Sequence, residues 1–446
     1  MLQYEVMNVV LQYGIQGGTA SQVVASVERA ILDGRLAPGA ALPPVRALAA
    51  ALGLSAATVA AAYRTLRIRG LVAGEGRRGT RVVLRPPLPL RPGPVVGPGT
   101  RDLAEGNPDP ARLPDLRRAL RALPARSALY GAPSVLPALR RRAARQLDRD
   151  GIPSSSLAIL GGALDAVERV LQAHLRPGDR VAVEDPGYAG VLDLVGALGL
   201  VPEPMPVDDL GPRPAALEAA VRAGARAVIV TPRAQNPTGA AFDETRARQL
   251  RALLDRHPDV LLVEDDHAGP VAGTPAFTLA HARKPKWAAV RSVSKSLGPD
   301  LRLAVLAGDA TTVARVEGRQ ALGAGWVSHL LQGAVAALWA DDAIERQLRK
   351  AADTYTRRRR ALLDALARRG VPAHGRSGLN VWIPVREEAA TIAAMAAEGW
   401  AVRAGEPYRL RSAPAVRITV STLAPEEAPM VAAALVRALG AHGRTA

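Results

Sequence analysis

The sequence predicts an α/β protein in two folded parts, a small helical domain ending in a β-hairpin and a larger domain with a mostly parallel sheet. Three observations predict this division. A proline- and glycine-rich segment interrupts the chain at residues 84–101, helix-like stretches and a hairpin precede it, and apolar strand-like runs alternate with helices after it. The 48% hydrophobic content of the 446 residues can supply a core for each part.

The residues before the interruption predict helices followed by a hairpin. An apolar period of 3.6 residues that stops at Gly34 marks a first helix, and a second, short helix follows. Ser55 is placed to cap a third helix. Two β-prone runs, 71–73 and 80–83, then flank a glycine-rich, basic turn. This order predicts a winged helix-turn-helix over residues 17–83.

Residues 84–101 lack both helical and strand periodicity and predict a semi-rigid linker. The part from residue 102 to 446 carries five apolar strand-like runs with helix-like stretches between several of them, which favours a sheet covered on both faces. From about residue 351 the pattern predicts a second, smaller lobe. The five runs are 180–185, 225–232, 260–266, 287–295 and 301–309.

Composition limits the classes of function. The absence of cysteine excludes disulfides and thiolate metal sites, and the seven histidines show no metal-ligand spacing, so we expect no metal. No apolar run approaches a membrane span and no signal-peptide pattern begins the chain, so we expect a cytoplasmic protein without membrane contact. The net charge of +17 suits a nucleic-acid partner but also reflects a general arginine bias.

The segment from Ser292 to Arg302 carries the clearest chemistry. Lys295 lies just past a predicted buried strand, beside hydroxyl groups and seven residues before an arginine. This pattern suits a carbonyl cofactor that also carries a phosphate. Lys295 would form a Schiff base, and Ser292, Ser294 and Arg302 would bind the phosphate through charge-assisted hydrogen bonds. A surface lysine beside an unrelated salt bridge is the alternative.

Other segments complete such a site in chain order. Asp265 ends a strand, where its carboxylate can pair with a pyridinium nitrogen and keep it protonated. Asn236, in Asn-Pro-Thr-Gly, offers an amide to the ring hydroxyl, and Tyr188 could stack on the ring face. Gly162 and Ala163 open a helix whose free N–H groups favour a phosphate. Each match is weak alone, and a loop carboxylate, a turn, a core tyrosine and a helix cap are the alternatives.

From residue 102 onward the chain resembles the fold-type I aminotransferases, which are dependent on pyridoxal 5′-phosphate (PLP). With its N-terminal module it resembles the MocR subfamily of GntR-type regulators over nearly its full length. The resemblance implies that the residues above hold PLP. It also implies that Tyr130 reaches the phosphate of a neighbouring subunit in a homodimer, and that Arg417 takes a substrate carboxylate.

Two positions depart from that family. His267 stands where these regulators usually carry a tyrosine near the ring hydroxyl, which puts the usual spectrum of the bound cofactor in doubt. Gly190 stands two residues after Tyr188, where some relatives have a carboxylate-binding arginine. The second departure puts a γ-amino acid effector in doubt.

The N-terminal module would bind double-stranded DNA with its third helix in the major groove. Residues 1–85 carry ten arginines and four acidic residues, a net charge of +6. Ser55 and Thr58, with Arg46, could contact base edges, whereas the neighbouring alanines offer no hydrogen bonds and could only contact thymine methyl groups. Wing arginines suit phosphate or minor-groove contacts, and the resemblance adds an arginine of the second helix. These arginines are Arg77, Arg78, Arg81 and Arg46.

Three functions remain open at this point. The leading one is a transcription regulator whose ligand, a small amine, an amino acid or PLP itself, changes binding to an operator with paired repeats. The second is an active aminotransferase in which Lys295 moves a proton as general base and acid. The third is a structural fusion that binds neither ligand. The retained site residues argue against the third, and a module that has lost DNA binding is an alternative for the N-terminal part.

Overall fold

The computed structural model describes residues 14–37, 39–68, 71–74, 79–82, 96–97, 99–123 and 129–440. The chain folds into two compact units, one N-terminal and one formed by most of the residues after the linker. Most of the predicted linker lies outside the described residues. Among those residues no single helix is long and apolar enough to span a membrane. The second and third helices of the N-terminal unit pass that test only as a pair bent by 118°.

The N-terminal unit is a winged helix-turn-helix, as predicted. Its elements are α1 (Ala20–Leu32), β1 (Ala41–Leu42), α2 (Val45–Leu52), α3 (Ala56–Ile68), β2 (Val72–Gly74) and β3 (Thr80–Val82). The three strands form an antiparallel sheet in the order β1-β3-β2. Val27, Leu48, Val59 and Leu66 are fully buried in its core. Gly53 takes the left-handed conformation, with φ of 63°, at the turn between α2 and α3, where glycine is favoured.

The larger unit contains eleven helices among the described residues. They are α4 (Leu116–Arg121), α5 (Pro137–Arg149), α6 (Ala163–His174), α7 (Ala189–Ala197), α8 (Pro214–Arg222), α9 (Glu244–Asp255), α10 (Ala310–Ala321), α11 (His329–Leu338), α12 (Asp342–Ala367), α13 (Glu388–Ala397) and α14 (Ala428–Gly440). Several of them, including α6, α8 and α10, pack on strands of the large sheet. The sequence predicts helices at 163–175, 214–223 and 243–257, and these correspond to α6, α8 and α9.

The strands of the larger unit form a large sheet and a smaller lobe. The large sheet has the order β5-β12-β11-β10-β9-β6-β7-β8, and β6, β7, β9, β10 and β11 run parallel. β12 runs antiparallel to both neighbours, because the connection from β11 to β12 contains no crossover helix. The large-sheet strands are β5 (Leu157–Leu160), β6 (Arg180–Asp185), β7 (Val201–Asp208), β8 (Gly211–Pro212), β9 (Ala225–Val230), β10 (Leu261–Asp266), β11 (Trp287–Ser292) and β12 (Ala304–Gly308).

The smaller lobe has its own hydrophobic core, formed by the second half of α12, by α13 and α14, and by a three-stranded sheet in the order β13-β16-β15. A two-stranded parallel pair, β4 with β14, brings the residues that follow the linker to this lobe. Leu103, next in the chain, is fully buried in the same core. The strands are β4 (Arg101–Asp102), β13 (Asn380–Pro384), β14 (Trp400–Ala401), β15 (Arg403–Ala404) and β16 (Ala415–Thr419).

Candidate cofactor site and DNA-binding helices

The candidate site lies where three neighbouring parallel strands end. The loop after β9 carries Asn236, β10 carries Asp265 near its end, and the turn after β11 carries Lys295. The carboxyl ends of parallel strands share one edge of the sheet, and ligands of open α/β sheets bind at that edge.

Asp265 is a buried carboxylate whose Oδ1 atom has no hydrogen-bond partner. The residue is only 4% exposed. Burial, together with the negative charge of Asp266, raises its pKa from 3.8 to about 7. A buried acceptor without a donor costs free energy, and a cationic ring nitrogen is a donor that would remove this cost.

Lys295 is held by a short contact to the chain segment that follows the linker. Its Nζ donates a hydrogen bond of 2.7 Å to the carbonyl oxygen of Gly106. Burial, and then the positive charge of Arg417, lowers the pKa of Lys295 to about 8. Burial and the charge of Lys295 also lower the pKa of His267 to about 4, so the imidazole is neutral at pH 7. A lysine of this kind supplies the neutral amine that attacks a carbonyl group.

Arg417, on β16, is a second cation of the candidate site and is buried. Its Nη1 donates a hydrogen bond of 3.0 Å to Oδ1 of Asn236, and its Nη2 donates a hydrogen bond to the carbonyl oxygen of Ala104. Its guanidinium lies over the ring of Tyr408, 5.1 Å from the centroid, and its Nε has no partner. Asn236 Oδ1 also accepts from Asn380 at 3.3 Å, so the amide nitrogen of Asn236 is the group left to donate to a ligand.

The candidate phosphate site combines a helix start with an arginine. Gly162, the N-cap of α6, has φ of 122°, and a Cβ there would lie 3.3 Å from a guanidinium nitrogen of Arg302. The first backbone N–H groups of α6, from Ala163, have no side-chain cap, and such groups favour an anion. Ser292 donates from its hydroxyl to that of Ser294 at 3.0 Å.

Tyr188 follows β6 and is 38% exposed. A Cβ on Gly190 would lie 2.9 Å from the Tyr188 ring and 3.0 Å from Leu164, so the ring packs directly on the glycine backbone. Within this chain Tyr130 does not join the other site residues. It is 93% exposed and meets Trp326 edge-on, with 5.6 Å between ring centroids.

In the N-terminal unit, Ser55 caps α3, as the sequence predicts. Its Oγ accepts from the backbone N–H of Thr58 at 3.1 Å and lies 2.8 Å from the Thr58 hydroxyl. Arg46, the second residue of α2, is exposed. Arg81 donates to the carbonyl of Gly39 at 2.8 Å. The predicted wing contacts Arg77 and Arg78 lie outside the described residues.

Sequence reasoning missed several groups that contact these residues. Ala104 and Gly106 act through backbone carbonyls, which carry no side-chain signal. Tyr408 and Asn380 come from the small lobe, far along the chain from the motifs that they contact.

Family models and relatives match both units. Residues 100–435 match the aminotransferase class I and II family, and residues 19–82 match the bacterial regulatory proteins of the gntR family. The vitamin B6 salvage pathway transcriptional repressor PtsJ of Salmonella typhimurium is 42% identical over 95% of this chain and 99% of its own length. The pyridoxine biosynthesis regulator PdxR of Corynebacterium glutamicum is 28% identical, with 78% of each chain covered.

Among solved structures, a kynurenine aminotransferase of Pyrococcus horikoshii superposes with a TM-score of 0.71 at 22% identity, covering 77% of this chain and 91% of its own. The fold of the larger unit is therefore that of the fold-type I aminotransferases. The two units together define a DNA-binding regulator with an aminotransferase-like domain. The chain belongs to the MocR type of the GntR family of transcription regulators.

Proposed function

We propose that this chain binds PLP in its larger unit and that the bound cofactor controls binding of the N-terminal unit to DNA. The observation that carries the proposal is the buried Asp265 Oδ1 without a partner, at the same sheet edge as a lysine whose pKa is lowered to about 8. A protonated ring nitrogen would donate a hydrogen bond to the Asp265 carboxylate, and an aldehyde would react with the Lys295 amine.

The site residues fit this cofactor in chemistry and placement. Lys295 would hold it covalently, Asp265 would pair with the ring nitrogen, and Asn236 and the neutral His267 would face the ring hydroxyl. PLP supplies an electron sink for carbanion chemistry when it is bound. The ring face would be covered by Tyr188, and the phosphate would be held by Gly162, Ala163, Ser292, Ser294 and Arg302.

A ligand bound at the candidate site would change the contacts of the chain segment that follows the linker. Lys295 and Arg417 donate to the carbonyls of Gly106 and Ala104, within five residues of the linker's end. A ligand that takes these donors leaves both carbonyls without partners and favours another arrangement of the segment. Such a difference in contacts is what a ligand needs to shift an equilibrium between two states.

We further propose that the regulated genes serve vitamin B6 metabolism and that PLP itself is the effector. The relative at 42% identity is a repressor of vitamin B6 salvage, and the similarity extends over both units. An amine or amino acid that uses Arg417 for its carboxylate is the other effector class that the site would accept.

DNA binding would use a homodimer on an operator with paired repeats. The wing arginines Arg77, Arg78 and Arg81 would contact the phosphates or the minor groove, and Ser55, Thr58 and Arg46 would lie nearest the bases. The exposed Tyr130 would serve the cofactor phosphate of the second copy. A DNA-binding regulator of this kind would act in the cytoplasm.

One observation favours a second function, aminotransferase activity. The pKa of Lys295 is lowered to about 8, close to the pH at which a general base works best. Arg417 would bind the carboxylate of the substrate. Many turnovers of amino-group transfer to 2-oxoglutarate would establish this function, and it could coexist with regulation.

Selection of genomic fragments by the purified protein tests the proposal. The protein is used with and without PLP, and its absorbance spectrum is recorded for wild type and Lys295→Ala. We expect enrichment of a discrete site with paired repeats, altered by PLP in the wild type only. If the wild type shows the absorbance band of bound PLP but binds DNA without sequence preference, the enzyme function is favoured instead.

A further inference from the structure

The larger unit contains an ion cluster, buried except for the half-buried Asp150, on the face of the sheet opposite the candidate site. Its members are Arg233, Arg291, Asp266 and Asp150, and the two arginine side chains are 7% and 5% exposed. No step of the proposed function uses this cluster. With two arginines and two aspartates its formal charge is zero, which is the composition that burial of ions requires.

The contacts of the cluster are close and reciprocal. The carboxylate of Asp266 accepts hydrogen bonds from the Arg233 guanidinium at 2.8 and 3.1 Å, and from Nε of Arg291 at 3.1 Å. Asp150, the C-cap of α5, lies 3.1 Å from Arg233 and 2.7 Å from Arg291. Nη2 of Arg291 lacks a hydrogen bond of good geometry, so its approaches to Asp150 and Asp266 are charge contacts.

Each cluster member on a strand end adjoins a proposed cofactor residue. Asp266 and Arg291 are register partners on β10 and β11. Because side chains alternate along a strand, Asp265 and Ser292 lie on the other face. Arg233 lies in the loop after β9 that also carries Asn236, three residues further on.

The loop after β9 has an unfavourable backbone conformation that contacts on both sides stabilise. Ala234 has φ of 54°, a left-handed conformation that is unfavourable for a residue with a Cβ. Its backbone N–H donates to Ser377 at 2.7 Å on one side, and Arg233 is fixed by the ion cluster on the other. Arg233 Nη1 also donates to the carbonyl of Thr274 at 3.3 Å.

We propose that the cluster of Arg233, Arg291, Asp266 and Asp150 is a positioning device that locks three strand ends in the register that the PLP site needs. The inference rests on the proposed cofactor function. The four residues do not touch the ligand. They fix the positions of Asn236, Asp265 and the turn to Lys295 from behind the sheet.

The test compares Arg291→Met with Arg246→Met in the full-length protein. Arg246 forms a bidentate pair with Asp208, at 2.9 Å for each nitrogen, in the same unit but away from the three strand ends. PLP affinity and the pH dependence of the absorbance of bound PLP are measured for each, with the unfolding midpoint recorded separately. Arg291→Lys keeps the charge but loses the fork and provides a milder variant if Arg291→Met fails to fold.

We expect Arg291→Met to weaken PLP binding roughly 10- to 100-fold and to move the pH midpoint of the absorbance, the scale on which misplaced supporting groups act. Arg291→Lys should lie between it and wild type, and Arg246→Met should lose stability with an unchanged spectrum. If the Arg291 variants have the same PLP affinity and the same pH midpoint as Arg246→Met, the inference is overturned. A wild type that binds no PLP would instead remove the proposed function on which it rests.

Discussion

Substitution of Asp265 by Asn should separate stability from cofactor binding. In the folded apo-protein the pKa of Asp265 is raised from 3.8 to about 7, with burial as the main cause and the charge of Asp266 second. The folded state therefore holds a proton between those values that the unfolded state has released. Stability from this group is complete below pH 3.8 and is lost as the pH rises through about 7.

The size of the effect follows from the shift. A difference between 3.8 and about 7 corresponds to at most about 4 kcal/mol of unfolding free energy at pH 8. The amide of the variant still buries a polar group without a partner, at a cost of about 1–3 kcal/mol. We therefore expect Asp265→Asn to stabilise the apo-protein by roughly 1–3 kcal/mol at pH 8, and to have little effect at pH 4.

Urea denaturation of apo-protein at several pH values measures this difference. The buried Glu184 and Glu264 also have raised pKa values, of about 7, so only the difference between variant and wild type isolates Asp265. Asp259→Asn, at a side chain that is 95% exposed, is the control. PLP binding should fall in Asp265→Asn despite the gain in stability. A variant that is less stable than wild type at pH 8, or that binds PLP equally well, would refute the reasoning.

Three further predictions concern other parts of the site and the DNA-binding unit. Gly190→Ala should weaken PLP binding about tenfold by displacing the Tyr188 ring, whereas Gly196→Ala in the same helix meets nothing within 4 Å and should leave it unchanged. Equal affinities would contradict this. The rate of covalent PLP attachment, followed by absorbance, should rise with pH around a midpoint near 8, and a midpoint near 10.5 would show that burial does not lower the pKa of Lys295. Arg46→Ala should cost about 1–3 kcal/mol of affinity for the selected operator and much less for unrelated DNA, and an equal loss on both DNAs would exclude a base contact.

The strands and helices with strong periodicity could be predicted from the sequence, and the strand β7 could not. Its residues Val201–Asp208 include Pro202, Pro204 and Pro206, which argue against a strand in sequence reasoning. β7 pairs with β6 from Val201 to Pro206 and with β8 only at Val207 and Asp208. Three alternate residues can therefore be proline, because one side of β7 needs few ladder hydrogen bonds.

The candidate site could be predicted as a set of motifs but not as a set of contacts. The sequence singles out Asp265, but it could not show that this carboxylate has an oxygen without a hydrogen-bond donor while the neighbouring Asp266 is engaged by two arginines. That distinction depends on Arg233 and Arg291, whose positions only the sheet register brings together. The contacts of Gly106 and Ala104 are also invisible in the sequence, because they belong to the backbone.

Titration of the selected operator with protein, by fluorescence anisotropy at increasing PLP, tests the central claim most directly. The account predicts a change in DNA affinity of about 5- to 150-fold in the wild type, the range of typical allosteric coupling, and none in Lys295→Ala. A wild type that shows the absorbance band of bound PLP but binds the operator with the same affinity with and without it would contradict the account.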